Sequence, residues 1–167
     1  MSRIRCFSLL KQELVEKAAE MPQDIRWRFI GHLQSNKVNT LLKKVPSLVA
    51  IETVDTEKLA VKLNATVIDI GRSPLDVFVQ VNTSGEESKS GVEPGLETVA
   101  LCKFIAQQCP SLNLRGLMTI GMPDYTSKPE NFECLQACRF EVSVHPWRER
   151  KRRKTRLGVV SSPAETK

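Results

Sequence analysis

The sequence predicts an α/β fold built around a parallel β-sheet. Short apolar segments rich in β-branched residues alternate with amphipathic helical segments at a spacing of roughly 30 residues, as in successive strand–helix–strand units. Polar segments that contain glycine follow the strands, at the positions where parallel folds bind their ligands. Four such units fit either an open doubly wound sheet or part of an eight-unit barrel, and periodicity alone does not choose between them.

The first elements are a helix, a strand and a second helix. Residues 8–20 are good helix formers with one apolar face, and a proline two residues later ends this helix. Residues 26–30 form a strand that runs into the turn Gly31-His32. An apolar stripe predicts that the next helix covers residues 33–44.

The central elements continue the alternation. Residues 48–51 are an apolar run of the kind found in strands that are covered on both faces. Asp55 or Thr56 can cap the helix that follows, because either side chain can accept a hydrogen bond from a free backbone N–H. The β-branched strand at residues 77–81 is the clearest in the chain, and it leads into a polar loop at residues 82–91.

The regular alternation of strands and helices ends after the last predicted helix. A helix begins after Pro94, a strand covers residues 112–120, and a final helix covers residues 130–140. Beyond residue 140 the pattern stops. We therefore predict an ordered domain at residues 1–140 and a basic, disordered tail at residues 141–167.

Length and composition indicate one globular domain. The chain has 167 residues, of which 41% are hydrophobic, so it is long enough to bury a core. No apolar run is long enough to cross a bilayer, and the N-terminus lacks the apolar centre and cleavage site of a secretory signal. We expect a cytoplasmic protein, with an organellar location as the alternative.

The net charge of +6 comes from one segment. Residues 148–156 contain seven basic residues and one acidic residue, a net +6, so the rest of the chain is neutral. Like charges at this density repel one another and bury nothing, which predicts disorder. The run suits nucleic acid or an acidic partner, but it contains no aromatic residue, which weakens the nucleic-acid interpretation.

Metal and disulfide chemistry is disfavoured. The five cysteines are odd in number and lack a framework spacing, so we expect free thiols. Cys134 and Cys138 are four residues apart on a predicted helix, but neither His32 nor His145 has ligand-like spacing to them.

The polar loops are the remaining candidates for a binding site. His32 and the loop at residues 82–87 can contact a ligand, although each is also explained as a solvated turn. Gly31, Gly85 and Gly121 do not form a phosphate-cradling pattern of the Walker or dinucleotide kind. No Ser/His/Asp or Cys/His arrangement is legible in the sequence.

Four strings nevertheless occur together in one known family. They are Phe29–Lys37, Glu52–Asp55, Val79–Lys89 and Gly116–Gly121, in this order and spacing. Over roughly residues 11–139 the chain resembles the pyridoxal phosphate homeostasis family, also called proline synthetase co-transcribed homologues. The resemblance implies an alanine racemase N-terminal type of TIM (β/α)8 barrel, of which about four βα units are present.

The resemblance also implies a function. Members of this family are non-catalytic, largely monomeric proteins that carry pyridoxal 5′-phosphate (PLP) as a Schiff base on a lysine, and they are thought to buffer PLP and deliver it to PLP-dependent enzymes. The positions that carry over as PLP contacts at the barrel mouth are His32, Asn36, Asn82 and Met118. No catalytic residue or metal ligand is implied, and neither a membrane nor nucleic acid is an expected partner.

Several family strings have no match in this chain. The Ala-Val-Ser-Lys-Thr-Lys string that supplies the Schiff-base lysine, the Ser-Met-Gly-Met-Ser string and the phosphate-binding Gly-Ser-Thr-x-Val-Arg-Ile-Gly string do not occur. The family often has Trp-His-Phe where this chain has Trp27-Arg28-Phe29. We interpret these departures as a product truncated at both ends, with two unpaired strand edges, and expect weak PLP binding or none.

Two other functions compete with this interpretation. The basic run at residues 148–156 suggests a binding or regulatory module that contacts nucleic acid or an acidic partner. An amino-acid racemase is disfavoured, because racemases of this fold recruit a tyrosine from a second domain and Tyr125 is the single tyrosine here.

Overall fold

The structure, a computed structural model, describes residues 5–8, 11–86, 90–120, 129–145 and 158–162. These residues form six strands and five α-helices. The strands are β1 Arg5–Ser8, β2 Arg26–Phe29, β3 Leu48–Val54, β4 Leu75–Gln80, β5 Leu112–Ile120 and β6 Gly158–Ser162. The helices are α1 Lys11–Glu20, α2 Val38–Lys44, α3 Glu57–Asp69, α4 Leu96–Gln108 and α5 Pro129–Val144, and a 3-10 turn, Ser35–Lys37, precedes α2.

The six strands form one parallel sheet in which they lie in chain order from β1 to β6. Parallel strands connected in this order by right-handed crossovers carry all their helices on one face of the sheet. A doubly wound sheet instead reverses its strand order at a switch point, with helices on both faces. The strand order therefore confirms the predicted partial barrel and excludes the doubly wound alternative.

The outer face of the sheet, which the helices cover, holds the main hydrophobic core. Trp27 and Phe29 of β2 are buried in one cluster with Leu41 of α2 and Leu63 of α3. The same cluster continues through α4 and α5. These contacts explain why each predicted helix has one apolar stripe, since that stripe packs on the sheet.

The inner face of the sheet carries a smaller buried cluster. Ile30, Phe78 and Met118 form it, and Ile120 and Val160 pack against them. The five side chains come from β2, β4, β5 and β6 or the residues that follow them. The inner face of the sheet is therefore packed with side chains, as the interior of a barrel is.

The two ends of the chain differ from the prediction. β1 pairs with β2 although no strand was predicted before residue 26, and α1 begins at Lys11 rather than at residue 8. At the other end α5 continues to Val144, past the predicted boundary at residue 140, and β6 lies within the predicted tail. Short strands of this kind are specified by an available sheet edge more than by local pattern. The basic run at residues 148–156 lies outside the described residues, so its disorder stays a prediction.

The N-terminus of α3 confirms one of the two predicted caps. Thr56 has an extended backbone, and its Oγ1 accepts a hydrogen bond of 3.3 Å from the backbone N–H of Leu59. This bond satisfies one of the N–H groups that the first helical turn leaves without a partner.

The capping bond is tested by the substitution Thr56→Ala. We expect a loss of about 1 kcal/mol in the free energy of unfolding, because the Leu59 N–H loses its acceptor. Urea denaturation measures this loss. Thr40→Ala, at an exposed position inside α2, is the matched control and changes the free energy by less than about 0.5 kcal/mol. Equal effects of the two substitutions would contradict the capping role.

Two facing glycines in β5 and β6 give a second stability test. Gly116 and Gly158 are register partners, and a Cβ added to Gly116 would lie 2.1 Å from the Gly158 carbonyl oxygen. A Cβ added to Gly158 would meet only ordinary contacts, the nearest being 3.6 Å from Phe78 Cε1. We expect Gly116→Ala to destabilise the protein by about 1–3 kcal/mol, because the strands must separate, and Gly158→Ala to have a much smaller effect. Thermal unfolding of both variants distinguishes them, and the reverse order would refute this packing.

Candidate ligand-binding site

The carboxyl ends of β2 and β3 are tied together at one edge of the sheet, here called the mouth. Strand β2 ends at Phe29, and Ile30 and Gly31 follow it. Gly31 turns the chain with a φ of 129°, a conformation that favours glycine. Its carbonyl oxygen accepts a hydrogen bond of 2.6 Å from Thr53 Oγ1 of β3. The loop that carries His32 is thereby fixed to the neighbouring strand.

His32 joins this loop to the loop that follows β4. The imidazole is exposed, and its Nδ1 lies 3.3 Å from Ser90 Oγ. The carbonyl oxygen of Ser90 in turn accepts a hydrogen bond of 2.6 Å from Gln80 Nε2, at the end of β4. An imidazole, a hydroxyl and an amide that are distant in the sequence thus come together at the mouth, where a small polar ligand can contact them.

Asn82 is used mainly to shape the loop after β4. Its side chain is 6% exposed, and its Nδ2 donates a hydrogen bond of 3.1 Å to the Glu86 carbonyl oxygen. Its Oδ1 accepts a bond of 3.3 Å from Ser84 Oγ, and its backbone N–H donates to the Val92 carbonyl oxygen at 2.9 Å. Both polar atoms of the side chain are therefore engaged within the loop.

Hydroxyl groups join the ends of β4 and β5. The Oγ1 atoms of Thr83 and Thr119 lie 2.8 Å apart, and Thr119 Oγ1 donates a bond of 3.1 Å to the Val81 carbonyl oxygen. The mouth is consequently a connected set of hydrogen bonds that runs from β2 to β5.

The other two predicted contacts lie at different depths. Asn36 is exposed on the 3-10 turn that follows the His32 loop. Met118 is fully buried on the inner face of β5, in the cluster with Ile30 and Phe78. The structure thus places His32 and Asn82 at the mouth and Met118 on the inner face, whereas Asn36 lies on the turn beyond the His32 loop. The contact of these four residues with a ligand stays a prediction.

An ion pair inside the sheet was not predicted. The Arg28 guanidinium donates to Glu52 Oε1, and its central carbon lies 5.2 Å from the centre of the Phe78 ring. The Glu52 side chain has no solvent exposure. The available sequence signal was a charged residue inside an apolar strand segment, which indicates a specific partner because buried charges are stable only when paired.

The described donor set at the mouth fits reversible binding of PLP, and the described strands offer no lysine as a covalent anchor. Hydroxyl, imidazole and amide groups can bond to phosphate and hydroxyl oxygens, and the apolar inner cluster can contact a ring. The six described strands contain no lysine, the residue that forms a Schiff base with the aldehyde of PLP. Among the residues that the structure describes, no group of three or more His, Cys, Asp or Glu side chains could hold a metal ion. Over the same residues, no helix has the length and apolar character that crossing a membrane requires.

The Asp55 carboxyl group, beside the mouth, is electrostatically perturbed. Burial raises its pKa above 3.8, because the charged form loses hydration, and this effect exceeds the opposing influence of His32 and of hydrogen bonds from its own backbone and Thr56. A raised pKa in the folded state means that ionisation opposes folding as the pH rises through the interval above 3.8.

The variant Asp55→Asn tests this effect. We expect the free energy of unfolding of the variant minus that of the parent to be larger at pH 7 than at pH 3. The reason is that only the parent acquires a buried negative charge between these two pH values. Chemical denaturation at both pH values measures the difference. Asp69→Asn, at an exposed aspartate in the last turn of α3, controls for the loss of a negative charge as such. If the free energy of unfolding of Asp55→Asn exceeded that of the parent by more at pH 3 than at pH 7, the burial effect would be refuted.

Comparison with known proteins identifies the fold family. The family model described as "Alanine racemase, N-terminal domain" matches residues 13–165. A pyridoxal phosphate homeostasis protein of Pongo abelii is 46% identical over 141 residues, which are 78% of this chain and 50% of that protein. The Vibrio cholerae protein of the same name is 41% identical over 131 residues, 74% of this chain and 53% of that protein. The chain thus spans about half the length of the curated relatives it matches.

Solved structures agree on the architecture. A crystal structure of an unknown protein from Bifidobacterium adolescentis superposes with a TM-score of 0.72 and 27% identity, covering 95% of this chain and 73% of that one. PipY of Synechococcus elongatus with PLP bound gives a TM-score of 0.56 at 22% identity, covering 94% and 78%, which supports the fold alone. The chain therefore belongs to the alanine racemase N-terminal domain family, as a relative of its pyridoxal phosphate homeostasis proteins.

Proposed function

We propose that this protein is a non-catalytic PLP-binding protein that takes part in PLP homeostasis, and that it binds the cofactor reversibly. The observation that carries the proposal is the contact between His32 and Ser90, which joins the loops after β2 and β4 directly above an apolar inner face. Polar groups at the entrance, here the mouth, and apolar side chains below them, here the inner face, are the usual composition of a small-molecule site.

The chemistry of PLP matches this arrangement of polar groups at the mouth and apolar side chains on the inner face. Its phosphate requires hydrogen-bond donors, which the hydroxyl and imidazole groups of the mouth supply. Asn36 is exposed on the turn that follows the His32 loop. Its substituted pyridine ring is flat and largely apolar, so it suits the side of the site that Met118 and Phe78 form. Asn82 contributes by holding the described part of the loop, from which Ser90 reaches His32.

The absence of lysine from the described strands supports non-covalent binding rather than a Schiff base. PLP-dependent enzymes would receive the bound cofactor, and we expect the protein to act as a monomer in the cytoplasm. A carrier of this kind requires no catalytic group, since its task is to lower the concentration of a reactive aldehyde and release it again.

The proposal is tested by equilibrium dialysis of PLP against the purified 167-residue chain, followed by borohydride treatment and mass spectrometry. We expect saturable binding and no cofactor mass retained after reduction, because borohydride traps only a Schiff base. His32→Ala should weaken binding about 10-fold, the usual effect of losing one hydrogen bond to a charged group.

A matched control is Gln107→Ala, at an exposed position near the C-terminal end of α4, which should leave PLP binding unchanged. Absence of saturable binding would refute the proposed function. A cofactor adduct that survives denaturation after reduction would show instead that a lysine of this chain anchors PLP.

A further inference from the structure

Two thiols lie one helical turn apart on α5. Cys134 and Cys138 are both free cysteines, and a hydrogen bond joins their side chains. Cys138 is 2% exposed and belongs to the main hydrophobic core, whereas Cys134 packs against that core and is partly exposed. The pair therefore has one sulfur inside the protein and one that solvent reaches, on the outer face of the sheet rather than on the face assigned to PLP.

The helical spacing of the two residues decides which chemistry suits the pair. Side chains four residues apart on a helix have Cβ atoms about 5–6 Å apart. A disulfide requires a Cβ–Cβ distance of about 3.5–4.5 Å. Direct oxidation to a disulfide would therefore distort α5, which is one helix from Pro129 to Val144. An atom that lies between the two sulfurs and bonds to both requires no such distortion.

The number of ligands narrows the choice of that atom. Thiolates select soft metal ions, among them Zn²⁺ and Cu(I). A structural Zn²⁺ site uses four protein ligands, whereas Cu(I) is stable with two sulfur ligands. Among the residues that the structure describes, no third His, Cys, Asp or Glu completes a metal-binding group with the pair. The two described sulfurs therefore suit Cu(I).

We propose that Cys134 and Cys138 form a two-coordinate site for a soft monovalent cation of the Cu(I) class, which bridges one turn of α5. In the binding step both S–H bonds break, two S–Cu bonds form and two protons pass to solvent, with no change in oxidation state. The apolar core around Cys138 keeps competing ligands from the buried sulfur. The partly exposed Cys134 gives the ion its route of entry.

The Cys134 thiol is protonated before the ion binds. Burial raises its pKa, and the interaction with Cys138, both electrostatic and through the hydrogen bond, and the charge of Glu141 raise it further. A protonated thiol is a poor nucleophile, so the empty site resists alkylation at neutral pH. A soft cation displaces the proton, since cysteine binds metals as the thiolate.

Competition with the coloured Cu(I) chelator bathocuproine disulfonate tests the site. The purified 167-residue chain is added anaerobically to the preformed Cu(I)–chelator complex, and the loss of absorbance measures the Cu(I) that the protein removes. Cys134→Ala and Cys138→Ala should each weaken Cu(I) binding more than about 100-fold, because the loss of an outer partner of a metal ligand already costs about 10–100-fold. Cys109→Ala removes a buried thiol at the C-terminal end of α4 and, as the control, should leave binding unchanged.

A further variant tests the spacing of the thiols rather than their number. Gln136→Cys combined with Cys138→Ala keeps two thiols on α5 but separates them by two residues, and side chains at that spacing do not face each other. Gln136 is exposed, so the added thiol is tolerated. The double variant should bind Cu(I) as weakly as Cys138→Ala alone. Cu(I) should also raise the thermal unfolding temperature of the parent and of Cys109→Ala only, since an ion that binds the folded state stabilises it.

Each outcome decides for or against the site. Failure of the parent chain to remove Cu(I) from the chelator would overturn it, and so would equal binding by the parent and Cys134→Ala. Tight binding by the double variant would show that any two thiols of α5 suffice, which also contradicts the proposed pair. If Cys138→Ala does not fold, Cys134→Ala still decides, because Cys134 is only partly buried. None of these measurements involves PLP, so the proposed function stands or falls separately.

Discussion

The sequential order of the parallel strands is the constraint on which the other features depend. Because each strand joins the sheet beside its predecessor, the described helices pack on the outer face, and none of them covers the inner one. The two faces then acquire different chemistry. The outer face holds Trp27 and Phe29 in an ordinary apolar core, whereas the inner face combines a small apolar cluster with the ion pair of Arg28 and Glu52. The same order aligns all the strand ends, so that loops distant in sequence meet at one mouth.

The central elements were predictable because their signals are local. The strand at residues 112–120 was predicted as observed, and Thr56 was one of the two predicted caps, because both signals lie in short stretches of sequence. β1 and β6 were not predicted, since four or five residues of mixed character become a strand only when a sheet edge pairs with them. That pairing is a property of the assembled sheet.

The candidate site was likewise predictable only in part. Residues that follow strands, such as His32 and Asn82, could be assigned to the mouth because the carboxyl ends of parallel strands meet there. The use of the Asn82 amide inside its own loop was not predictable, since it depends on the path of the chain up to Glu86. The ion pair of Arg28 and Glu52 depends on the register between β2 and β3, which the spacing of the two residues in the sequence does not encode.

The strand order also has a consequence for how the chain folds. Each strand pairs with the strand that precedes it in the sequence, so no pairing in the sheet has to wait for a distant segment of the chain. The paired residues lie 21 positions apart for Arg5 and Arg26 and 42 positions apart for Gly116 and Gly158. The entropy lost in closing such a loop rises only slowly with its length. The sheet can therefore grow by adding one strand and its helix at a time, in the order in which a ribosome releases them. Until the next unit arrives, the edge of the newest strand is exposed, and folding speed then determines how long that edge is open to other chains.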